Sequence, residues 1–106
     1  MRNLTINRDK TCVGCLMPVK FYVSDEIYGD LIIKGIKCRK IGVLANGSIS
    51  TFQICNEEVV LFAIIDRISR NYCYGKKIIK AGSEDIFLSG KNKLSLFRGN
   101  PFKFYY

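Results

Sequence analysis

The sequence predicts an all-β fold: an antiparallel β-sandwich of about eight short strands, with a small β-barrel as the alternative, in one domain spanning residues 1–106. Three observations lead there. Apolar and polar residues alternate in short runs, which is the period of a half-buried strand. Glycine, Asn-Gly, aspartate and proline punctuate these runs about every 8 to 12 residues, the spacing of an all-β domain. No window repeats apolar residues at i, i+3, i+4 and i+7 behind a capping residue, as a helix would.

Residues 41–66 are the segment around which the rest is organised, and they read as three successive antiparallel strands. Asn46-Gly47 lies between apolar runs and supplies the positive backbone dihedrals of a tight two-residue hairpin turn. After it, Phe52 and Ile54 alternate with Thr51, Gln53 and Cys55, giving one apolar face. Residues 59–65 are apolar at every position. A strand with no polar side is covered on both faces, so this one is placed at the centre of a sheet.

The other elements follow in order. Leu4 and Ile6 alternate with polar neighbours in a short first strand ending near Arg8-Asp9-Lys10. Residues 11–17 contain Gly14 and lead to Pro18, which predicts a bulged crossing. Val19, Phe21 and Val23 then point one way and Lys20, Tyr22 and Ser24 the other. Residues 25–30 make a connection without helical periodicity. Leu31 and Ile33, then Ile36 and Cys38, resume the alternation on either side of Gly35. Residues 67–77 look like an exposed loop or irregular strand pair. Ile78-Ile79 marks a further strand, and Ala81-Gly82-Ser83-Glu84 a turn. Ile86 and Leu88 open the next strand, which Gly90-Lys91-Asn92 turns and Leu94 and Leu96 return. Arg98-Gly99-Asn100-Pro101 breaks that run, and Phe102, Phe104 and Tyr106 alternate in the last.

The totals bound the class. At 106 residues a chain buries roughly 60 to 70% of the surface it exposes when unfolded, enough for one core. No apolar run approaches the roughly 18 to 20 residues that cross a bilayer, so no transmembrane segment is expected. Five cysteines, Cys12, Cys15, Cys38, Cys55 and Cys73, are an odd number at irregular spacing, and no apolar leader precedes them. Reduced thiols and a cytoplasmic location are therefore expected. The net charge of +8 raises the odds of an anionic partner such as nucleic acid or an acidic membrane surface, while its plainer reading is that it keeps a β-protein soluble.

The strongest exclusion concerns catalysis: the chain contains no histidine, which removes Ser-His-Asp and Cys-His mechanisms and His-ligated zinc. Cys12-Val-Gly-Cys15 has the C-x-x-C spacing of redox pairs and zinc knuckles. However, Pro18 and a strand follow where a redox pair needs a helix N-terminus, and the other cysteines are scattered singly where zinc needs a second pair. Asp66 ends the most apolar strand and is the one acid whose burial would matter; Glu57-Glu58 and Glu84-Asp85 sit at turns. The glycines form no phosphate-binding fingerprint. No cofactor, no metal and no enzymatic activity are expected.

Arg8-Asp-Lys-Thr11-Cys-Val-Gly14 before a strand, Gly42-Val-Leu44-Ala-Asn46-Gly47-Ser48 before Phe52, and Ala81-Gly82 before an apolar pair resemble small, uncharacterised bacterial β-sandwich domains. In those domains a basic-x-x-[ST]-x-x-G opening leads to a G-x-L-x-N-G hairpin. The chain departs from the pattern at Asp25-Glu26, followed by a longer basic insertion, and at Asn56-Glu57-Glu58. The resemblance implies a fold and no activity.

The expected function is a non-enzymatic interaction or assembly module, with a strand edge or a basic face as the contact. The alternative is a small basic β-domain that binds single-stranded nucleic acid or another polyanion. The binding residues expected for it are Arg67, Arg70, Tyr72, Tyr74, Lys76 and Lys77, where cations interleave with rings and no acid intervenes. Arg98, Phe102, Lys103, Phe104 and Tyr105 would extend that site. Lys34, Lys37, Arg39 and Lys40 form a second basic stripe in a segment with no acid between Asp30 and Glu57. The plainer reading of both groups is that aromatics fill one sheet face while cations solvate the other and block edge-to-edge aggregation.

Overall fold

Two sheets face each other in the computed structural model, which describes residues 1–11, 18–65, 73–92 and 102–105; at 65, 73, 74 and 92 the backbone alone is described. The strands are β1 (Arg2–Arg8), β2 (Val19–Ser24), β3 (Leu31–Ile33), β4 (Ile36–Leu44), β5 (Ile49–Ile54), β6 (Val59–Ile65), β7 (Cys73–Ile79), β8 (Ile86–Asn92) and β9 (Phe102–Phe104). One sheet has the order β5-β1-β8-β9 and the other β3-β4-β2-β6-β7. The described residues contain no helix, hence none long and apolar enough to cross a membrane. The fold is all-β and sandwich-like, as the alternation predicts.

Alternation becomes packing directly. Leu4, Ile6, Val19, Phe21, Val23, Leu44, Ile54, Leu61, Ala63 and Leu88 are buried in one cluster between the sheets. The uniformly apolar β6 lies between β2 and β7, and its residues 59 and 61–64 are buried. Its second face is accounted for by a separate cluster of Ile33, Cys38, Phe62 and Ile64, against which Tyr22, Leu31, Ile36 and Val60 pack. A strand without a polar side is thus covered on both sides, although β2 and not β6 stands at the middle of the five.

The structure differs from the expectation in four places. Residues 41–66 are not a three-stranded meander: β4 and β5 belong to different sheets, and β5 pairs with β1. The Asn46-Gly47 turn, closed by Ser48 N–H donating to the Ala45 carbonyl at 3.1 Å, carries the chain from one sheet to the other. Asn46 acts there as a surrogate strand: its Oδ1 accepts from Thr11 N–H at 3.0 Å and its Nδ2 donates to the Thr11 carbonyl at 3.1 Å. The two-residue hairpin lies instead at Lys34-Gly35, whose φ values are 52° and 79° and whose flanking residues Ile33 and Ile36 pair. Second, β1 and β8 run parallel, with Leu4 opposite Ile86 and Arg8 opposite Gly90. Third, Gly90-Lys91-Asn92 continues β8 and pairs with β9, rather than turning. Fourth, of the segment 67–77, expected as an exposed loop or irregular strand pair, residues 73–77 belong to β7, a regular strand antiparallel to β6, and residues 67–72 lie outside the described residues.

Two arginines are built into the interior. Arg2 and Arg8 share the inward parity of Leu4 and Ile6 on β1, and both are buried. Arg2 donates through Nε to the Cys55 carbonyl at 3.1 Å, and through one terminal nitrogen to the carbonyls of Glu57 at 3.1 Å and Lys80 at 2.8 Å. That ties together the β5–β6 and β7–β8 turns, which Gly82 N–H also links by donating to the Asn56 carbonyl. At the opposite end Arg8 donates to the Leu44 carbonyl at 2.7 Å, fastening β1 to the end of β4. The planar guanidinium meets several carbonyls at once, so the turns at each end are held without burying a bare charge.

Candidate functional site

The sequence-predicted residues divide. Arg67, Arg70 and Tyr72 lie outside the described residues, as do Asp66, Cys12, Cys15 and Arg98. Tyr74 pairs in register with Ile64 on β7. Lys76 stands opposite Phe62 and Lys77 opposite Leu61, so the two lysines point to opposite faces of the sheet. The second stripe divides in the same way. Lys37 and Arg39, opposite Ile32 and Val23, share one face; Lys40, opposite Tyr22, is on the other; Lys34 occupies the hairpin turn. Arg39 is paired with Asp25 at 3.0 Å.

The C-terminal extension is separated by strand parity in a useful way. Phe102 and Phe104 turn inward and meet Phe21, with ring centroids 5.5 Å and 6.3 Å away. Lys103 and Tyr105 are thereby left on the outer side of the four-stranded sheet. They line an open cleft of about 440 Å³ together with Lys91 and Asp9.

Three local features build this cleft. β8 and β9 place Lys91 directly opposite Lys103, an arrangement of like charges that costs stability in an antiparallel pair. Neither lysine forms an ion pair with a described residue. Asp9 is brought beside them because its N–H donates to the Gly90 carbonyl at 2.8 Å, one residue before Lys91. Its carboxylate is already engaged: Oδ1 accepts from Asn7 Nδ2 at 2.9 Å and Oδ2 from the Tyr105 hydroxyl. Tyr105 is anchored at both ends, since its N–H also donates to the Ser89 carbonyl at 3.1 Å. Its side chain nevertheless remains 47% exposed. The result is two opposed cations beside a ring of fixed orientation, which is what a phosphate with an attached planar group requires.

The acids among the described residues, though not the cations, are gathered at one end of the strands, where Lys34, Lys37, Arg39 and Lys80 also lie. Asp25, Glu26, Asp30, Glu57, Glu58, Glu84 and Asp85 all lie in the β2–β3, β5–β6 and β7–β8 connections at one end. Asp9 is the remaining acid among the described residues. The faces and the other end carry Lys10, Lys20, Lys40, Lys76, Lys77, Lys91 and Lys103 against that one acid. At the acidic end two acids are neutralised, Asp25 by Arg39 and Glu58 by Lys80 at 3.3 Å.

Two cysteine side chains, Cys38 and Cys55, are described, and both are free thiols. Cys38 is buried, and desolvation pushes its thiol upward, which keeps it protonated. Cys55 is exposed in the β5–β6 turn. Among the described residues no group of His, Cys, Asp and Glu is arranged to hold a metal ion. Sequence reasoning named Lys103 and Tyr105 but missed Lys91 and Asp9. Lys91 stands between Gly90 and Asn92 and reads as a turn residue; only its pairing with Lys103 across β9 reveals it.

No family model matches this chain, and no curated protein or solved structure matches it.

Proposed function

We propose that this chain is a non-enzymatic binding module for an anionic polymer, single-stranded nucleic acid in the first place, with the Lys91, Lys103 and Tyr105 cleft as a contact point. The observation that carries the reading is the unneutralised Lys91–Lys103 pair, set opposite each other on β8 and β9. A phosphate between the two ammonium groups converts a repulsive cross-strand pair into an attractive triad. The Tyr105 ring, held by its hydroxyl against Asp9, then offers a face for a base to stack on. The segregation of acids to the far end supports the same reading, because a polyanion approaching the basic end meets Asp9 alone among the described acids.

The test is fluorescence anisotropy of a labelled single-stranded oligonucleotide, titrated at several salt concentrations. Affinity is expected to fall steeply with salt, and Lys91→Ala or Lys103→Ala should each lower the slope of log K against log salt by about 0.7. Tyr105→Ala should weaken binding by about 1 to 3 kcal/mol, the range for one stacked base. The same substitution should leave binding to polyglutamate unchanged, since an acidic polypeptide has no base to stack. Absence of binding at low salt, or full binding by the double lysine variant, sinks the reading.

A further inference from the structure

We propose that the free edge of β3 pairs with the β3 of a second copy of this chain, antiparallel and about a two-fold axis through Ile32. Among the described residues β3 is a terminal strand of its sheet and is bonded on one side, to β4. Its hairpin closes at the Ile33–Ile36 pair around the Lys34-Gly35 turn, and the next pair is Ile32 with Lys37. In a two-residue hairpin the pair flanking the turn is hydrogen-bonded and the following pair is not. The N–H and C=O of Ile32 therefore point away from β4, out of the edge. Pairing Ile32 with Ile32 of the other copy joins those groups in two reciprocal N–H···O=C bonds. The residues around it, Asp30-Leu31-Ile32-Ile33-Lys34, have the same character in either direction: a charge, three apolar side chains, and the opposite charge. Antiparallel pairing about Ile32 brings the Asp30 end of each β3 towards the Lys34 turn of the other copy, a self-complementarity of opposite charges of the kind an isologous contact demands.

The surface beside this edge is apolar and rigid. Ile32 is 68% exposed, and Ile27 and Tyr28 in the preceding loop are 77% and 75% exposed. The loop is fixed by Asp25, whose Oδ1 accepts from the N–H groups of Ile27 at 3.0 Å and Tyr28 at 2.9 Å and whose Oδ2 accepts from Arg39 Nε at 3.0 Å. The loop backbone is therefore already ordered at the moment of contact. Three residues make a short edge, and short edges are a common safeguard against uncontrolled pairing. The expected assembly is a weak, concentration-dependent dimer in which the two five-stranded sheets are continuous.

Sedimentation equilibrium over a wide protein range tests this. The unmodified chain should show a reversible monomer–dimer equilibrium. Ile32→Lys, which puts two cations face to face at the axis, should raise the dimer dissociation constant at least about tenfold; its thermal unfolding should stay unchanged because Ile32 lies outside the core. Asp30→Lys should weaken the dimer, and Asp30→Lys combined with Lys34→Asp should restore it, which no merely structural role of these residues would do. A chain that stays monomeric throughout, a dimer indifferent to Ile32→Lys, or a double charge swap that fails to restore association overturns the proposal.

Discussion

At the scale of single residues, the least replaceable side chains are charged ones. Arg2 gives three donated bonds to carbonyls in two separate turns. Truncating it leaves those carbonyls short of a donor in a part-buried site, so Arg2→Ala is expected to cost about 2 to 4 kcal/mol of stability in denaturant unfolding. Asp25 is a second example, at the surface. The N–H of Tyr28 holds its carboxyl below the ordinary value of 3.8, with the Ile27 N–H and Arg39 adding to the effect and desolvation opposing it. A carboxyl depressed in the folded state stabilises the fold at pH values above the unfolded pKa, and that contribution disappears as pH falls through the depressed folded value. The stability advantage of the natural chain over Asp25→Asn should therefore persist at neutral pH and shrink below about pH 4. Acid titrations of both proteins followed by circular dichroism check this. An advantage that grows on acidification would contradict the assignment.

At the scale of elements, β9 is the strand that joins core and cleft. Its inward residues Phe102 and Phe104 meet each other edge to face at 5.1 Å between centroids, and both meet Phe21. Its outward residue Lys103, with Tyr105 just beyond, lines the candidate site. β9 lies so close over β7 that a Cβ at Gly75 would overlap the Phe102 carbonyl. Gly75→Ala is expected to destabilise the fold by about 1 to 3 kcal/mol through this overpacking. Because the displaced element carries Lys103 and Tyr105, the same substitution should weaken oligonucleotide binding more than it alters the Asp25 loop, whose amides should keep their chemical shifts. Gly42 has the parallel role on the other flank, where the Phe52 ring occupies the space of a side chain. Glycine thus admits a close neighbour at two places, a backbone carbonyl of β9 at Gly75 and an aromatic ring of β5 at Gly42.

At the scale of the whole molecule, the distribution of charge decides more than its total. A seven-residue strand spans about 23 Å, roughly three Debye lengths at physiological ionic strength. The acidic end is therefore screened from the Lys91–Lys103 cleft. Glu57→Lys should leave oligonucleotide affinity within about twofold at physiological salt and accelerate association only at low salt, where screening is weak. Stopped-flow association rates at two ionic strengths test this. The sequence by itself determined the all-β class, the strands carrying Leu4, Ile6, Val19, Phe21 and Val23, and the covering of both faces of β6 over residues 59–64, because a period of two and an unbroken apolar run are local properties of the chain. The inward course of Arg2 and Arg8 on β1 was not read from the sequence, because a charged side chain at an inward position is settled by the carbonyls that tertiary structure brings to it. What only the tertiary structure decided is which strands are neighbours. Asn46-Gly47 has the chemistry of a hairpin, yet Asn46 spends its amide on Thr11 and the turn crosses between sheets, while the hairpin forms at Lys34-Gly35. Lys91 meets Lys103, and Asp9 meets Tyr105, only because β1, β8 and β9 pair side by side. Such contacts depend on the register between segments distant along the chain, which no local pattern of side chains encodes.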